Sequence, residues 1–305
     1  MTFVLPDLWI LVTLAAAIFQ TARFMLQKYL ATATLSAAGA TFSRFLYSAP
    51  FIVGGLAAYL GASGTQLPQI GSGFWAYGLL GGTAQILATV CVVLLFKQRN
   101  FAVGITFKKT EVILTVLTGW LILGEGVTIW GFAAIGLGVV ALLLLSAKKG
   151  ENGFRLRDLG NKAAGLGIAS GFLFAISAVT YRGATLAVLS DMPVLRAGVT
   201  LAAVVCMQAA IMAVYLRLRE PGQMSAVWHA RKVAVWIGLM SLGGSLCWFI
   251  AFTLQNAAYV KALGQVELIL SVAASTLFFR ERITRREWAG MAILVGSILM
   301  LVLIT

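Results

Sequence analysis

Mostly apolar runs of about 20 residues recur along the whole of this chain, and that is the length an α-helix needs to cross a hydrocarbon core roughly 30 Å thick. Ten such runs are separated by Gly, Pro or charge. They lie approximately at Leu8 to Tyr29, Ser36 to Leu60, Phe74 to Phe96, Phe101 to Leu123, Val127 to Ser146, Lys162 to Leu186, Met192 to Leu216, Val233 to Gln255, Ala258 to Phe279 and Trp288 to Ile304. Only 11% of the residues are charged, against about 25% in an ordinary soluble domain, and so few cannot cover a soluble globule of 305 residues. The chain therefore reads as an all-α integral membrane protein with ten transmembrane helices. Its first run follows Met1 to Asp7, which has no basic segment and precedes no clear small-residue cleavage site, so it is expected to remain as the first span.

The two halves resemble each other. A shift of 156 residues aligns Gly82 to Glu125 with Gly238 to Glu281 without a gap, pairing Cys91 with Cys247, Phe96 with Phe252, Asn100 with Asn256, Glu111 with Glu267 and Glu125 with Glu281. Biased apolar composition explains stray Leu and Val matches, but not a series at Cys, Asn and two Glu. The expected organisation is a first five-helix repeat over residues 1–147, a linker over 148–161 and a second repeat over 162–305. An odd number of spans per repeat inverts the second copy in the membrane.

The net charge of +13 does not point to nucleic acid, because the basic residues sit in short loops and form no continuous face. Cytoplasmic lipid headgroups are the expected partner. With both termini outside, the cytoplasmic loops hold sixteen of the 23 Lys and Arg, including Lys28, Lys148, Lys149, Arg231 and Arg285, while the opposite boundary keeps Arg182, Arg196 and Lys261. The positive-inside bias thus predicts outside termini. Cys91, Cys206 and Cys247 lie in apolar runs without paired spacing and are assigned to packing.

The segment LTGWLILGEGVTIWGFAAIGLGVVALLLL (Leu117 to Leu145) and its echo STLFFRERITRREWAGMAILVGSILMLVL (Ser275 to Leu303) share an apolar span, a terminal Glu, a short polar turn and a Gly-bearing apolar span. Together with SRFLYSAPF (Ser43 to Phe51), they resemble the EamA branch of the drug/metabolite transporter superfamily. The resemblance covers both repeats and implies a ten-helix carrier with a central cavity lined by both. Many of those relatives carry proline after the glutamate of spans four and nine. Here Val112 and Leu268 follow, so the resemblance does not carry that helix break to this chain.

A carboxylate inside a span costs about 2.5 to 3.5 kcal/mol on insertion scales, so Glu111 and Glu267 demand compensation. At helical spacing Glu111 shares a face with Lys108, Thr115 and Thr118, and Glu267 with Gly264, Ser271 and Ala274. Both glutamates are expected to line a cavity and bind substrate or a coupling proton. The bland alternative is hydrogen bonding to neighbouring helices or to Arg44 and Arg196, which are read as helix anchors. Lys108 is weighed equally between a site and snorkelling to the interface, whereas Lys109 is expected to snorkel. Gln20, Arg23 and Gln27 form a polar stripe on the first span that lipid would not tolerate. Trp248 with Phe252, and Phe174 with Tyr181, are spaced to wall a pocket or simply to pack. The candidate substrate- or proton-binding set is Glu111, Glu267, Lys108, Gln20, Arg23, Trp248, Phe252, Tyr181 and Ser271.

No His, Cys and Asp cluster has metal spacing, the single His229 excludes a Ser/His/acid set, and no P-loop is present. Gly136, Gly138, Gly165, Gly167, Gly290 and Gly296 mark small-residue faces for helix packing rather than dinucleotide loops. The expectation is a secondary transporter of the inner membrane, without cofactor or required oligomer, with lipid and a small solute as partners and a coupling proton or ion left open. Its first-ranked solute is an exported amino acid or related amphiphilic metabolite, because carboxylates and a lysine or arginine together satisfy both ends of a zwitterion. An organic cation held by the glutamates and an aromatic box is the alternative. A membrane-embedded enzyme or sensor ranks below both, since no catalytic group is identifiable.

Overall fold

Backbone in a bilayer has no water to bond, so an apolar run satisfies its amides internally by becoming a helix. A computed structural model describes residues 7–96, 108–146, 162–270 and 285–304. In chain order the helices are α1 (Leu8–Ala33), α2 (Ala37–Ser63), α3 (Phe74–Phe96), α4 (Glu111–Leu123), α5 (Ile129–Ser146), α6 (Lys162–Leu186), α7 (Pro193–Arg219), α8 (Gln223–His229), α9 (Arg231–Leu254), α10 (Ala257–Leu263) and α11 (Arg285–Ile304). A 3-10 turn at Gly264–Val266 follows α10.

Local chemistry sets several of the ends. Ser36 opens α2 by accepting the Gly39 amide at 2.9 Å, and Gly64 closes it at φ 64°, a left-handed conformation that suits glycine. Pro193 sits in the first turn of α7, where its missing N–H is harmless. At the end of α4, Gly124 at φ 67° donates to Trp120 O at 3.1 Å, the bond of a left-handed αL close, and Glu125 donates to Gly119 O at 3.2 Å.

Among the described residues six helices, α1, α2, α3, α6, α7 and α9, are long and apolar enough to cross a membrane, and shorter apolar helices span Glu111–Leu123, Ile129–Leu142 and Trp288–Ile304. The expected ten full spans thus correspond to six long helices plus shorter pieces. Part of expected span four, part of span nine and the linker 148–161 lie outside the described residues. Span nine, expected as one run, is α10 followed by the 3-10 turn and then helix again at Glu267. The short helix α8, with exposed Trp228 on one side and buried Val227 on the other, was not anticipated.

The main helix pairings join the first half of the chain to the second: α1 lies along α9, α3 along α6, α5 along α11 and α2 against α7. The buried core runs between them, with Phe42 and Phe45 of α2, Tyr181 of α6 and Phe249 of α9 at its centre. Leu, Trp and Phe face outward all round, Trp75, Trp120, Trp130 and Trp288 among them, as the surface of a multi-pass membrane protein requires. Close packing uses Gly138, which faces Ser297, but among the described residues a Cβ at Gly136, Gly165 or Gly296 would meet no neighbour within 4 Å, so there those three do not form the expected packing faces.

Candidate functional site

Two helix breaks frame the site. A turn at Lys109 and Thr110 interrupts the helical backbone just before Glu111, and the 3-10 turn Gly264–Val266 does so just before Glu267. The two breaks occupy equivalent places in the sequence repeat, and no proline makes either. At the first, Gly171 of α6 lets the broken backbone approach: a Cβ there would stand 2.8 Å from Lys108 O and 3.3 Å from Glu111 N. At the second, Gly264 lies beneath the Trp248 ring, where a side chain would collide with the indole.

The carboxylates at these breaks are compensated by lysines, not by Arg44 or Arg196. Glu111 is 4% exposed and pairs with Lys261 Nζ at 2.5 Å and with Lys108 Nζ at 3.5 Å. Glu267 pairs with Lys109 and accepts a hydrogen bond from Gln20 Nε2 at 2.8 Å. Each carboxylate is therefore held by a lysine of the other half of the chain. Both Lys108 and Lys109 are only 5% exposed, so the snorkelling expected of Lys109, and allowed for Lys108, does not occur: an ion pair in a low-dielectric interior outweighs reaching for the interface. Thr115 donates to Glu111 O and Thr118 to Leu114 O, which spends both hydroxyls on their own helix.

A narrow cavity of about 30 Å³ lies against these pairs and is lined by Gln20, Arg23, Arg44, Gln85, Ser177, Tyr181, Ser245, Phe174, Trp248, Phe252 and Lys261, among others. Trp248 and Phe252 stack with ring centroids 5.7 Å apart. Lys261 Nζ sits 4.7 Å from the Trp248 centroid, 5.8 Å from Phe252 and 5.7 Å from Phe174. Tyr181 donates to Gln85 Oε1 at 3.0 Å and accepts from Gln208 Nε2 at 3.1 Å. Arg23 donates to Gln27 Oε1 at 2.7 Å, with its guanidinium 4.2 Å from the Phe24 centroid. A second, more apolar opening of about 320 Å³ reaches Lys108, Lys109 and Glu267 past Phe24, Lys28 and Phe96.

The structure thus brings together Gln20, Arg23, Tyr181, Trp248 and Phe252 around one cavity, with Glu111 reaching it through Lys261 and Glu267 through Gln20. Lys108 lines the second opening, while Ser271 lies outside the described residues. Arg44, expected as an anchor, lines the cavity. It donates to Ser241 at 2.7 Å, Ser245 at 3.1 Å and Thr89 at 3.3 Å. Arg196 does anchor, donating to Thr185 O and Leu186 O. Lys261 was missed because the sequence places it at a span boundary; its only signal is a position six residues before Glu267, on the same broken segment. Arg182 was also counted as boundary charge, yet it grips Glu125 at 2.7 Å and 2.8 Å and donates to Phe252 O and Gln255 O, clamping α4, α6 and α9 together.

An all-α, multi-pass shell around a buried, charged cavity defines a membrane transporter of small molecules. Residues 161–303 match the EamA-like transporter family. Over 78 residues the chain is 30% identical to the "Probable 4-amino-4-deoxy-L-arabinose-phosphoundecaprenol flippase subunit ArnE" of Pseudomonas fluorescens, a stretch covering 25% of this chain and 68% of that protein. A crystal structure of a protein 17% identical to it has a TM-score of 0.71 and aligns over 97% of this chain and 96% of the other, which shows a common fold. The chain belongs to the EamA-like transporter family of the drug/metabolite transporter superfamily, whose members move solutes and are not enzymes.

Proposed function

We propose that this chain is a secondary transporter of the inner membrane that exports an amino acid or a related amphiphilic metabolite, built from ten spans in two inverted five-helix repeats with both termini outside. The observation that carries this reading is the pair of glutamates at equivalent helix breaks, each ion-paired to a lysine of the opposite half beside one cavity. Such pairs can exchange partners when the halves rock against each other, which is how inverted repeats alternate access. The helix pairings support the repeat: exchanging the halves turns α1 against α9 into α6 against α3, and maps α2 against α7 and α5 against α11 onto themselves. The charge asymmetry of the loops supports the orientation. The flippase relative is named for a substrate that joins an amine to a phosphate, and a cavity of mixed charge suits a solute of that kind.

The organic-cation reading ranks second for a specific reason. The aromatic box that would hold a quaternary ammonium already holds the chain's own Lys261. Counterflow in proteoliposomes tests the proposal: exchange of a labelled amino acid or related metabolite is expected, abolished by Glu111→Gln or Glu267→Gln. Exchange of choline-like cations alone would reverse the two readings, and exchange of no solute of any charge would refute the carrier assignment.

A further inference from the structure

The charges around the cavity do not balance. Among the described residues, Arg23, Arg44, Lys108, Lys109 and Lys261 face only Glu111 and Glu267, an excess of three positive charges in a buried site. Both carboxylates are already engaged by lysines. Glu267, whose field reaches Arg23, is also held by Gln20. Lys108 and Lys261 share Glu111, which leaves one of the three charges on that pair and the other two on the arginines. Arg23 is 3% and Arg44 4% exposed, and each is bonded to neutral groups: Arg23 to the Gln27 amide oxygen, Arg44 to three hydroxyls. A guanidinium stays protonated in any protein setting and offers five N–H donors in a planar fork, the geometry that grips carboxylate and phosphate. Burying two such groups side by side, where their charges repel, costs several kcal/mol per ion unless something anionic joins them.

A second observation points the same way. Trp248 Nε1 is buried with no acceptor among the described residues, and the ring lines the same cavity. A buried indole N–H ordinarily finds a partner. The Trp248 donor and the two guanidiniums thus border one space that contains no free carboxylate.

Resting on the carrier reading above, we propose that Arg23 and Arg44 form an oxyanion subsite, completed by Trp248 Nε1, and that the transported solute carries a carboxylate or phosphate and is negatively charged overall. This narrows the class proposed above to its anionic members, an acidic amino acid or a metabolite bearing phosphate, and sets aside a zwitterion with balanced charge and an organic cation. Lys261 is held by Glu111 and the aromatic rings, so it tunes the floor of the subsite instead of binding the anion directly.

Calorimetric titration of the full chain in lipid nanodiscs, at fixed ionic strength, tests this with succinate, glycerol 3-phosphate, glycine and tetramethylammonium. Succinate or glycerol 3-phosphate is expected to bind at least about tenfold more tightly than the other two, a difference of about 1.4 kcal/mol, and which one wins separates a carboxylate from a phosphate solute. Arg23→Gln and Arg44→Gln should each weaken the anion by about tenfold or more, with Arg44→Lys recovering part of the loss. Trp248→Phe removes the donor together with part of the ring that covers Gly264, so it should lower Tm modestly and weaken the anion by roughly threefold or more, and wild-type anion affinity would remove the indole from the subsite; it also serves if an arginine variant fails to fold. Exposed Lys232→Gln should change nothing. Tightest binding by glycine or tetramethylammonium, wild-type anion affinity in both arginine variants, or no anion binding at all overturns the subsite. Counterflow with the same four solutes keeps the two ideas apart: exchange of a neutral or cationic solute sinks the subsite but not the carrier, and anion binding without exchange of any solute sinks the carrier but not the subsite.

Discussion

Neutralising one buried carboxylate in this protein removes more than a charge. Glu267→Gln keeps the shape of the side chain, but its partner Lys109 is 5% exposed and would be left as a buried cation without its counter-ion. Losing one partner of such a pair costs about 3 to 5 kcal/mol, so Glu267→Gln is expected to lower Tm as well as transport. The double variant Glu267→Gln/Lys109→Met removes both charges; we expect it to recover most of the Tm and none of the transport, and recovered counterflow would make the pair purely structural. The Glu111 and Lys261 pair can be treated as a cycle. Denaturation of Glu111→Gln, Lys261→Gln and the double variant should give a coupling of about 1 to 3 kcal/mol, reduced from the full cost because Lys108 at 3.5 Å remains to hold Glu111.

The breaks at Glu111 and Glu267 show how far an element can be read from its residues. Without proline the resemblance gave no reason to expect them, and helix periodicity runs straight through both. Their cause is contact with other helices: Gly171 admits the first break and the Trp248 ring stands over Gly264 at the second. Gly171→Ala places a methyl 2.8 Å from a backbone oxygen, so it should destabilise by about 1 to 3 kcal/mol despite better helix propensity. Gly165→Ala on the same helix meets nothing within 4 Å and should be neutral or stabilising. Equal Tm values for the two variants would remove the packing explanation. The Arg182 clamp belongs to the same scale: its charged hydrogen bonds to Glu125 are each worth about 1.5 to 3 kcal/mol net, less for a partly exposed pair, so Arg182→Gln should reduce Tm measurably and Arg182→Lys only part of the way.

For the whole molecule, loop charge is the motive for placing both termini outside, and a fluorescent reporter that matures only in the cytoplasm, fused after Thr305, should stay dark. A bright signal would invert the orientation and with it the direction assigned to transport. The proposed twofold relation between halves makes a further demand: cysteine pairs introduced across α1 and α9, and across α3 and α6, should crosslink with similar efficiency. Crosslinking of one pair and not the other would argue that the halves are not equivalent partners.

That the chain is a multi-pass bundle of apolar helices, and that its two glutamates need compensation, was legible in the residues themselves, because a bilayer forces each backbone segment to satisfy its own amides and charges inside a span cannot hide. Gln20, Arg23, Tyr181, Trp248 and Phe252, which line one cavity, stood out for the same reason: they are polar or aromatic groups inside apolar runs. What only tertiary packing decided is which charge meets which. Lys109 and Glu267 are 158 residues apart, and Lys261 and Arg182 look like boundary charges until the opposite half folds against them. Nor does any local pattern show that Arg44 turns towards a cavity and finds only hydroxyls there. Hydrophobic length is a property of a segment, whereas ion pairing in a low-dielectric interior depends on distances between segments, and these exist only once the helices have packed.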